Sequence, residues 1–172
     1  MKKVKIIAML MLFVLALTAC TTPQPAKSTA TAYGLQFEVE EDWVVEEVEG
    51  FTYVYFSESE TNYLVFMQPT AVTSEIVVDE ETVTYLVEMF AMIAGGEAPE
   101  VTVTELTIDG RTVYSSEAEI IVNNAVFAKV AIWMCVDNSN SYMWMYLEGP
   151  DTYDQYYSNV KALTESIVFV GE

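Results

Sequence analysis

The sequence predicts an α+β fold, an antiparallel β-sheet meander flanked by helices as an α/β/α sandwich. Three observations predict it. Residues 101–148 form apolar-rich extended runs separated by short turn-forming pairs, Asp109-Gly110 and Asn123-Asn124. Two other segments carry apolar residues at helical spacing: Val83, Leu86, Val87, Phe90 and Ala94, then Tyr153, Tyr156, Tyr157, Val160, Leu163 and Ile167. Finally, the run 125–136 is apolar on both faces. Val126, Val130, Ile132, Met134 and Val136 line one side; Phe127, Ala131, Trp133 and Cys135 line the other, interrupted by Lys129. A strand of that kind needs cover on both sides of its sheet.

The chain opens with Lys2, Lys3 and Lys5, an apolar run from Ile6 to Leu17, and Leu17-Thr18-Ala19-Cys20. The apolar run is too short to span a bilayer as a helix and has the layout of a signal peptide. Leu-Thr-Ala-Cys resembles a bacterial lipobox, in which cleavage precedes a Cys that then carries the lipid. The expected organisation is therefore a lipoprotein signal peptide over 1–19, lipidated Cys20 with a flexible tether over 20–32, and a single domain over 33–172. The tether (Thr-Thr-Pro-Gln-Pro-Ala-Lys-Ser-Thr-Ala-Thr from Thr21) is polar and aperiodic, with a typical reach of about 18 Å. The expected location is the cell membrane, lipid-anchored on the extracytoplasmic face.

Beyond the tether, Leu35, Phe37 and Val39 alternate with Gln36, Glu38 and Glu40 as a half-buried strand. Asp42-Trp43 marks a corner before a short strand at 44–48. Gly50 turns the chain into 51–56, and the polar loop 57–62 leads to its partner at 63–67. Asp79 is the expected N-cap of the first helix, with Glu80 and Glu81 in its first turn and Gly95-Gly96 ending it. The meander follows, with strands at 101–108, 111–122, 125–136 and 141–148. Thr152 and Gln155 predict a capping box for the last helix, and Val168-Phe169-Val170 a short extended tail.

Composition excludes several classes. After residues 1–19 the chain keeps four basic residues (Lys27, Arg111, Lys129, Lys161) against all 26 acidic ones, a formal charge of −22. Such a field repels nucleic-acid phosphates, so no nucleic-acid partner is expected. It suits solubility, a basic partner or divalent cations. The chain has no His, which removes His-based triads and His metal sites. If Cys20 is lipidated, Cys135 has no disulfide partner, and its apolar neighbours make it a small packing residue.

An opening of the form Gly-x-x-Phe-x-Val-x-x-x-Trp (Gly34, Phe37, Val39, Trp43) begins this order of elements, and Ser166-Ile167-Val168-Phe169 closes it. Together they resemble the PsbP-like family over about residues 33–170. Where such openings carry Pro three residues before the Trp, this chain has Glu40. That family includes the extrinsic PsbP subunit of photosystem II and small bacterial lipoproteins, and a Ran-binding nuclear-import factor shares the fold. The resemblance implies an antiparallel sheet with flanking helices and a role in binding or assembly. It carries over no catalytic residue.

No nucleophile motif or Gly-rich phosphate loop is present, and no catalytic residue, cofactor or metal is expected. Asp137-Asn138-Ser139-Asn140-Ser141 offers alternate oxygens but lacks the Gly and distal Glu of a calcium loop, and reads as a turn. The acidic clusters 40–42, 46–49 and 79–81 read as solvated surface and, for the third, helix capping. Phe127, Trp133, Tyr142, Trp144 and Tyr146 are the candidate binding residues. Open, they would suit a protein partner or glycan stacking; covered by Tyr153, Tyr156 and Tyr157 of the last helix, they form a second core. The apolar stripe of that helix favours cover. The expected function is a noncatalytic protein-interaction or assembly module, joined to the membrane by its lipid and facing an unknown protein partner. A small-molecule or glycan-binding lipoprotein is the alternative, and a carboxylate-based hydrolase ranks third.

Overall fold

The computed structural model describes residues 27–57, 62–72 and 77–170. The expected signal peptide, Cys20 and the first part of the expected tether lie outside them. Strands β1 (Lys27–Ala32), β2 (Leu35–Glu40), β3 (Val44–Val48), β4 (Phe51–Tyr55) and β5 (Tyr63–Ala71) precede helix α1 (Glu80–Ile93). Then come β6 (Val101–Ile108), β7 (Arg111–Val122), β8 (Ala125–Asp137), β9 (Asn140–Glu148), helix α2 (Pro150–Glu165) and β10 (Val168–Phe169). Seven strands form one sheet in the order β3-β4-β5-β9-β8-β7-β6, and β1-β2-β10 form a second sheet of three. Every strand pair is antiparallel. The α+β class and the meander agree with the sequence reading; the sandwich does so in part, because the small sheet shares the covering role with α2.

Residues 27–32 correct the expected tether. They form β1, paired with β2 from Lys27↔Glu40 to Ala32↔Leu35. Ser-Thr-Ala-Thr-Ala has the small polar composition of a linker, and it becomes a strand only because β2 offers it a hydrogen-bonding edge. Ala32 is buried, and Lys27 Nζ meets Glu38 Oε2 at 2.6 Å.

Tight turns organise both sheets. The pairs Tyr33-Gly34, Glu49-Gly50, Asp109-Gly110, Asn123-Asn124 and Asn138-Ser139 all have positive φ at both residues. That is the backbone of a type I′ hairpin, whose twist matches that of the strands it joins. Asp109 also binds outside its own turn. Its Oδ2 accepts from the Phe169 amide at 3.0 Å and from Arg111 Nη1 at 2.8 Å, while Arg111 reaches Asp137 and lies 4.3 Å over the Phe169 ring. This clasp fastens β10, and with it the small sheet, to the meander.

Helix α1 begins as expected, with Asp79 Oδ1 accepting from the Thr82 amide at 2.9 Å. That hydrogen bond holds the Asp79 carboxyl below its ordinary range. The helix ends in a Schellman motif: the Gly96 amide bonds Ala91 O and the Gly95 amide bonds Met92 O. Gly96 then passes so close to β7 that a Cβ there would lie 2.2 Å from Ile121 O. Helix α2 starts differently from the expected capping box. Its N-cap is Gly149, with no side-chain cap, and Pro150 occupies the first turn. Thr152 Oγ1 instead donates to Gly149 O at 3.2 Å.

Two cores result, one on each face of the large sheet. Under α1, Val87 and Ala91 meet Ile120, Ala128, Val130 and Ile132. On the opposite face, α2 and the small sheet enclose Trp133, Trp144, Tyr146, Phe66 and Phe37. The Phe37 and Phe66 rings stack with centroids 4.6 Å apart. Ser166 joins the two covers, since its Oγ accepts from the Glu38 amide and donates to Leu163 O.

Two outcomes test this packing. The Trp144 indole N–H donates to Thr164 Oγ1 at 3.2 Å, and both residues are buried. Thr164→Val keeps the shape and orphans the N–H, so chemical denaturation should show a loss of about 1–3 kcal/mol. An unchanged midpoint would mean that the indole has another partner. Cys135 is 1 % exposed, and burial, then the Asp137 charge, pushes its thiol up to about 12. Because the thiolate is the reactive form, the native protein at pH 8 should resist a maleimide until it is unfolded. Stoichiometric labelling within minutes would contradict the burial.

Candidate functional site

Of the five residues that the sequence singles out, the structure buries four in one core and leaves the fifth exposed. Trp133, Trp144 and Tyr146 are at most 2 % exposed, and Tyr142 is also buried. Trp133 and Trp144 stack at 6.5 Å, Tyr146 lies 5.0 Å from Tyr153 of α2, and Tyr142 meets Phe169 edge-on at 5.4 Å. Tyr146 OH donates to the Tyr153 carbonyl, and burial raises its phenol well above the ordinary value. These four side chains are core, and the covered arrangement is the observed one. Phe127 does not join them. Ile120 pairs with Ala128 and Ile121 with Val126, so Phe127 is the extra residue of a β-bulge and stands 59 % exposed. A strictly alternating reading of β8 misplaces it for that reason. Cys20, the expected lipidation site, lies outside the described residues.

The open aromatic surface is on the other face of the large sheet. Helix α1 packs on β6, β7 and β8, leaving β3, β4, β5 and β9 without a helix above them. Alternation along these strands puts Phe51, Tyr53 and Tyr55 of β4 beside Met67, Val65 and Tyr63 of β5. Met143 and Met145 of β9 continue the surface across Met67 and Val65. Val44 and Val48 of β3, Phe51 and Leu147 are more than a third exposed. Tyr53 contacts Tyr63 edge-on at 5.2 Å and Tyr55 face-on at 6.0 Å, so the rings form a slab. Beside it, Phe51, Met67, Met134 and Met143 border a shallow depression of about 440 Å³.

Size explains why this half stays open. Seven strands about 4.8 Å apart span about 29 Å, whereas one helix is about 10 Å wide. On the α2 face the small sheet makes up the difference. On the α1 face nothing among the described residues does.

The surroundings are acidic. Glu46 and Glu47 lie on β3, Glu49 follows in the turn, and Glu46 Oε2 accepts from Tyr55 OH at 3.4 Å. Burial, then the neighbouring Tyr53 and Glu148, raises the Tyr63 phenol. The four basic residues after residue 19, Lys27, Arg111, Lys129 and Lys161, fall on β1, β7, β8 and α2, none on these four strands. No three His, Cys, Asp or Glu side chains among the described residues gather as a metal site. The third acidic cluster caps α1, as expected. No helix of the described residues is long and apolar enough to cross a membrane.

Sequence reasoning passes over this surface because β4 and β5 are apolar on both faces. Val54, Phe56, Leu64 and Phe66 fill the α2-side core, while the intervening residues make the slab. A usable signal does exist: one mid-chain helix is too narrow for the strands that the sequence counts.

No protein-family model matches the chain, and no curated protein matches it by sequence. Solved structures do. The solution structure of cyanobacterial PsbP (CyanoP) from Synechocystis sp. PCC 6803 superposes with a TM-score of 0.64 at 13% identity, covering 87% of this chain and 95% of that one. LpqN of Mycobacterium tuberculosis, a protein involved in cell envelope biogenesis, superposes with a TM-score of 0.52 at 9% identity, covering 85% and 91%. At such identities the likeness speaks for architecture alone, and it agrees with the resemblance carried by Gly34, Phe37, Val39 and Trp43: the fold of this chain is PsbP-like.

Proposed function

We propose that the protein is a noncatalytic interaction module, lipid-anchored at Cys20 on the extracytoplasmic face of the membrane, and that it receives a protein partner on β3-β4-β5-β9. The observation that carries this reading is the half-sheet of aromatic and methionine side chains that no helix covers. Contiguous apolar surface rimmed by polar groups is characteristic of protein interfaces, and Tyr, Phe and Met are enriched there. The carboxylates at its edge suit a partner with basic residues around an apolar centre. A PsbP-like fold shared with a protein involved in cell envelope biogenesis supports the extracytoplasmic placement. Glycan stacking on the same slab is a second reading, drawn from the near-parallel Tyr53 and Tyr55 rings, 16° apart.

A photo-crosslinking residue at Phe51 or Leu147 should capture one discrete protein from native membranes, whereas the same residue at Glu165, exposed on α2, should not. Tyr53→Ser with Tyr63→Ser should abolish the adduct while the protein still melts cooperatively. Equal capture from both positions, or none from either, overturns the partner-face reading. Saturable shifts of the Tyr53 and Tyr63 resonances with soluble glycan fragments would favour the second. Separately, Cys20→Ser should leave unprocessed precursor without lipid label; normal maturation of that variant would remove the anchor.

A further inference from the structure

The slab ends at an open edge. β3 is the outermost strand on that side, and among the described residues no strand pairs with its outer edge. Each of its residues, Val44–Val48, is exposed, so both faces beside the edge are clear. The far edge of the sheet differs: on β6, Val101, Val103 and Leu106 are half-buried and Ile108 is buried. β3 carries neither Lys nor Pro, and it keeps register with β4 along its whole length, so no bulge turns it away.

The turn at Glu49-Gly50 fixes which backbone groups face outward. Val48 and Phe51 flank this two-residue type I′ turn, and residues in that position form a hydrogen-bonded pair. Alternation along the ladder makes Glu46↔Tyr53 and Val44↔Tyr55 pairs of the same kind. The amides and carbonyls of Val45 and Glu47 therefore point away from the sheet. They present donors and acceptors at strand spacing, and an extended chain supplies their complements. This row of backbone groups is independent of the acidic rim.

The side chains set the chemistry of that chain. Glu46 stands on the slab face between Val44 and Val48, and Glu47 stands on the other face. Among the described residues no ion pair reaches either carboxylate. Opposite charges directly across a ladder stabilise it, and like charges oppose it. A second copy is disfavoured on that ground, because full antiparallel overlap of two β3 strands sets Glu46 against Glu46. Resting on the reading of the slab as the partner face, we infer that the partner donates an extended segment to the edge of β3. It joins as an antiparallel strand, like every pair already present, with two adjacent basic residues opposite Glu47 and Glu46 and apolar residues opposite Val48, Val45 and Val44. Neighbouring residues of a strand point to opposite faces, so each basic side chain meets its own carboxylate. The apolar residues opposite Val44 and Val48 widen the slab by one strand spacing, about 4.8 Å.

The test titrates isotope-labelled full chain, held in nanodiscs of zwitterionic lipid, with the end-blocked peptide Ser-Val-Arg-Lys-Val-Val-Ser. A second peptide carries Glu-Glu in place of Arg-Lys. A third keeps the first sequence but is N-methylated at Arg and at the Val after Lys, which removes the N–H groups that face Glu47 and Val45. Saturable shifts of the Val45 and Glu47 amides, with slowed hydrogen exchange at both, are expected with the first peptide alone. Glu46→Gln combined with Glu47→Gln should weaken that binding about tenfold without moving the melting midpoint. No saturation at Val45 and Glu47, equal binding of either control peptide, or full affinity in the double variant overturns the strand addition. If that happens while the Phe51 and Leu147 crosslinks persist, the slab still stands as a partner face. Peptide binding at the edge without either crosslink would remove the slab instead.

Discussion

One helix cannot cover a sheet of seven strands, and the rest of the molecule is arranged around that mismatch of widths. The face beneath α2 is closed because β1, β2 and β10 form a second layer beside the helix, with Phe37 laid on Phe66 and Phe169 against Tyr142. The face beneath α1 has no second layer among the described residues, so tyrosines and methionines there remain in contact with water. Burial of apolar area is the dominant favourable term in folding. A surface that forgoes it on four adjacent strands is a place where the domain gives up stability that a partner can restore.

The small sheet depends on a few polar contacts more than on its own length. β10 has two residues, and its pairing with β2 rests on Val168↔Gln36 and Phe169↔Leu35. Asp109 and Arg111 hold that segment from the meander side, and Ser166 holds it from the helix side. The covering layer is therefore tied down at both ends of its last strand. Tyr142, Trp133 and Trp144 stay dry because the tie does not slip.

Much of this was legible in the sequence where local chemistry decides the outcome. Asp109-Gly110 and Asn123-Asn124 announce their hairpins, since Gly and Asn tolerate positive φ. Asp79 announces its helix, since its carboxylate can serve the first amides. Tertiary decisions were not legible. Ser28 to Ala32 reads as linker because nothing local says that β2 lacks a neighbour, and Phe127 reads as part of an aromatic face because a bulge leaves no mark in an alternating run. The same limit governs the sites. Tyr142, Trp144 and Tyr146 leave both an open and a covered arrangement possible in the strand pattern; the apolar stripe of α2 favours cover, and α2 with β10 supplies it. Tyr53 and Tyr63 go unremarked in the sequence because both faces of their strands are apolar.

The strand order has a kinetic consequence. Type I′ turns link β3 to β4 and every pair from β6 to β9, so most of the sheet is made of neighbours in sequence. Contacts of that kind close small loops and form early at little entropic cost. Within the large sheet a single seam among the described strands, β5 against β9, joins residues as distant along the chain as Leu64 and Tyr146. Two local ribbons, β3-β4-β5 and β6-β7-β8-β9, can thus take shape independently, and the molecule becomes one body when that seam closes. The seam runs through Phe66 and Trp144 on the closed side and through Val65, Met67, Met143 and Met145 on the open one. A chain caught before closure would present both of those surfaces, with β5 and β9 as unpaired edges, and would be at its most vulnerable to pairing with another copy of itself.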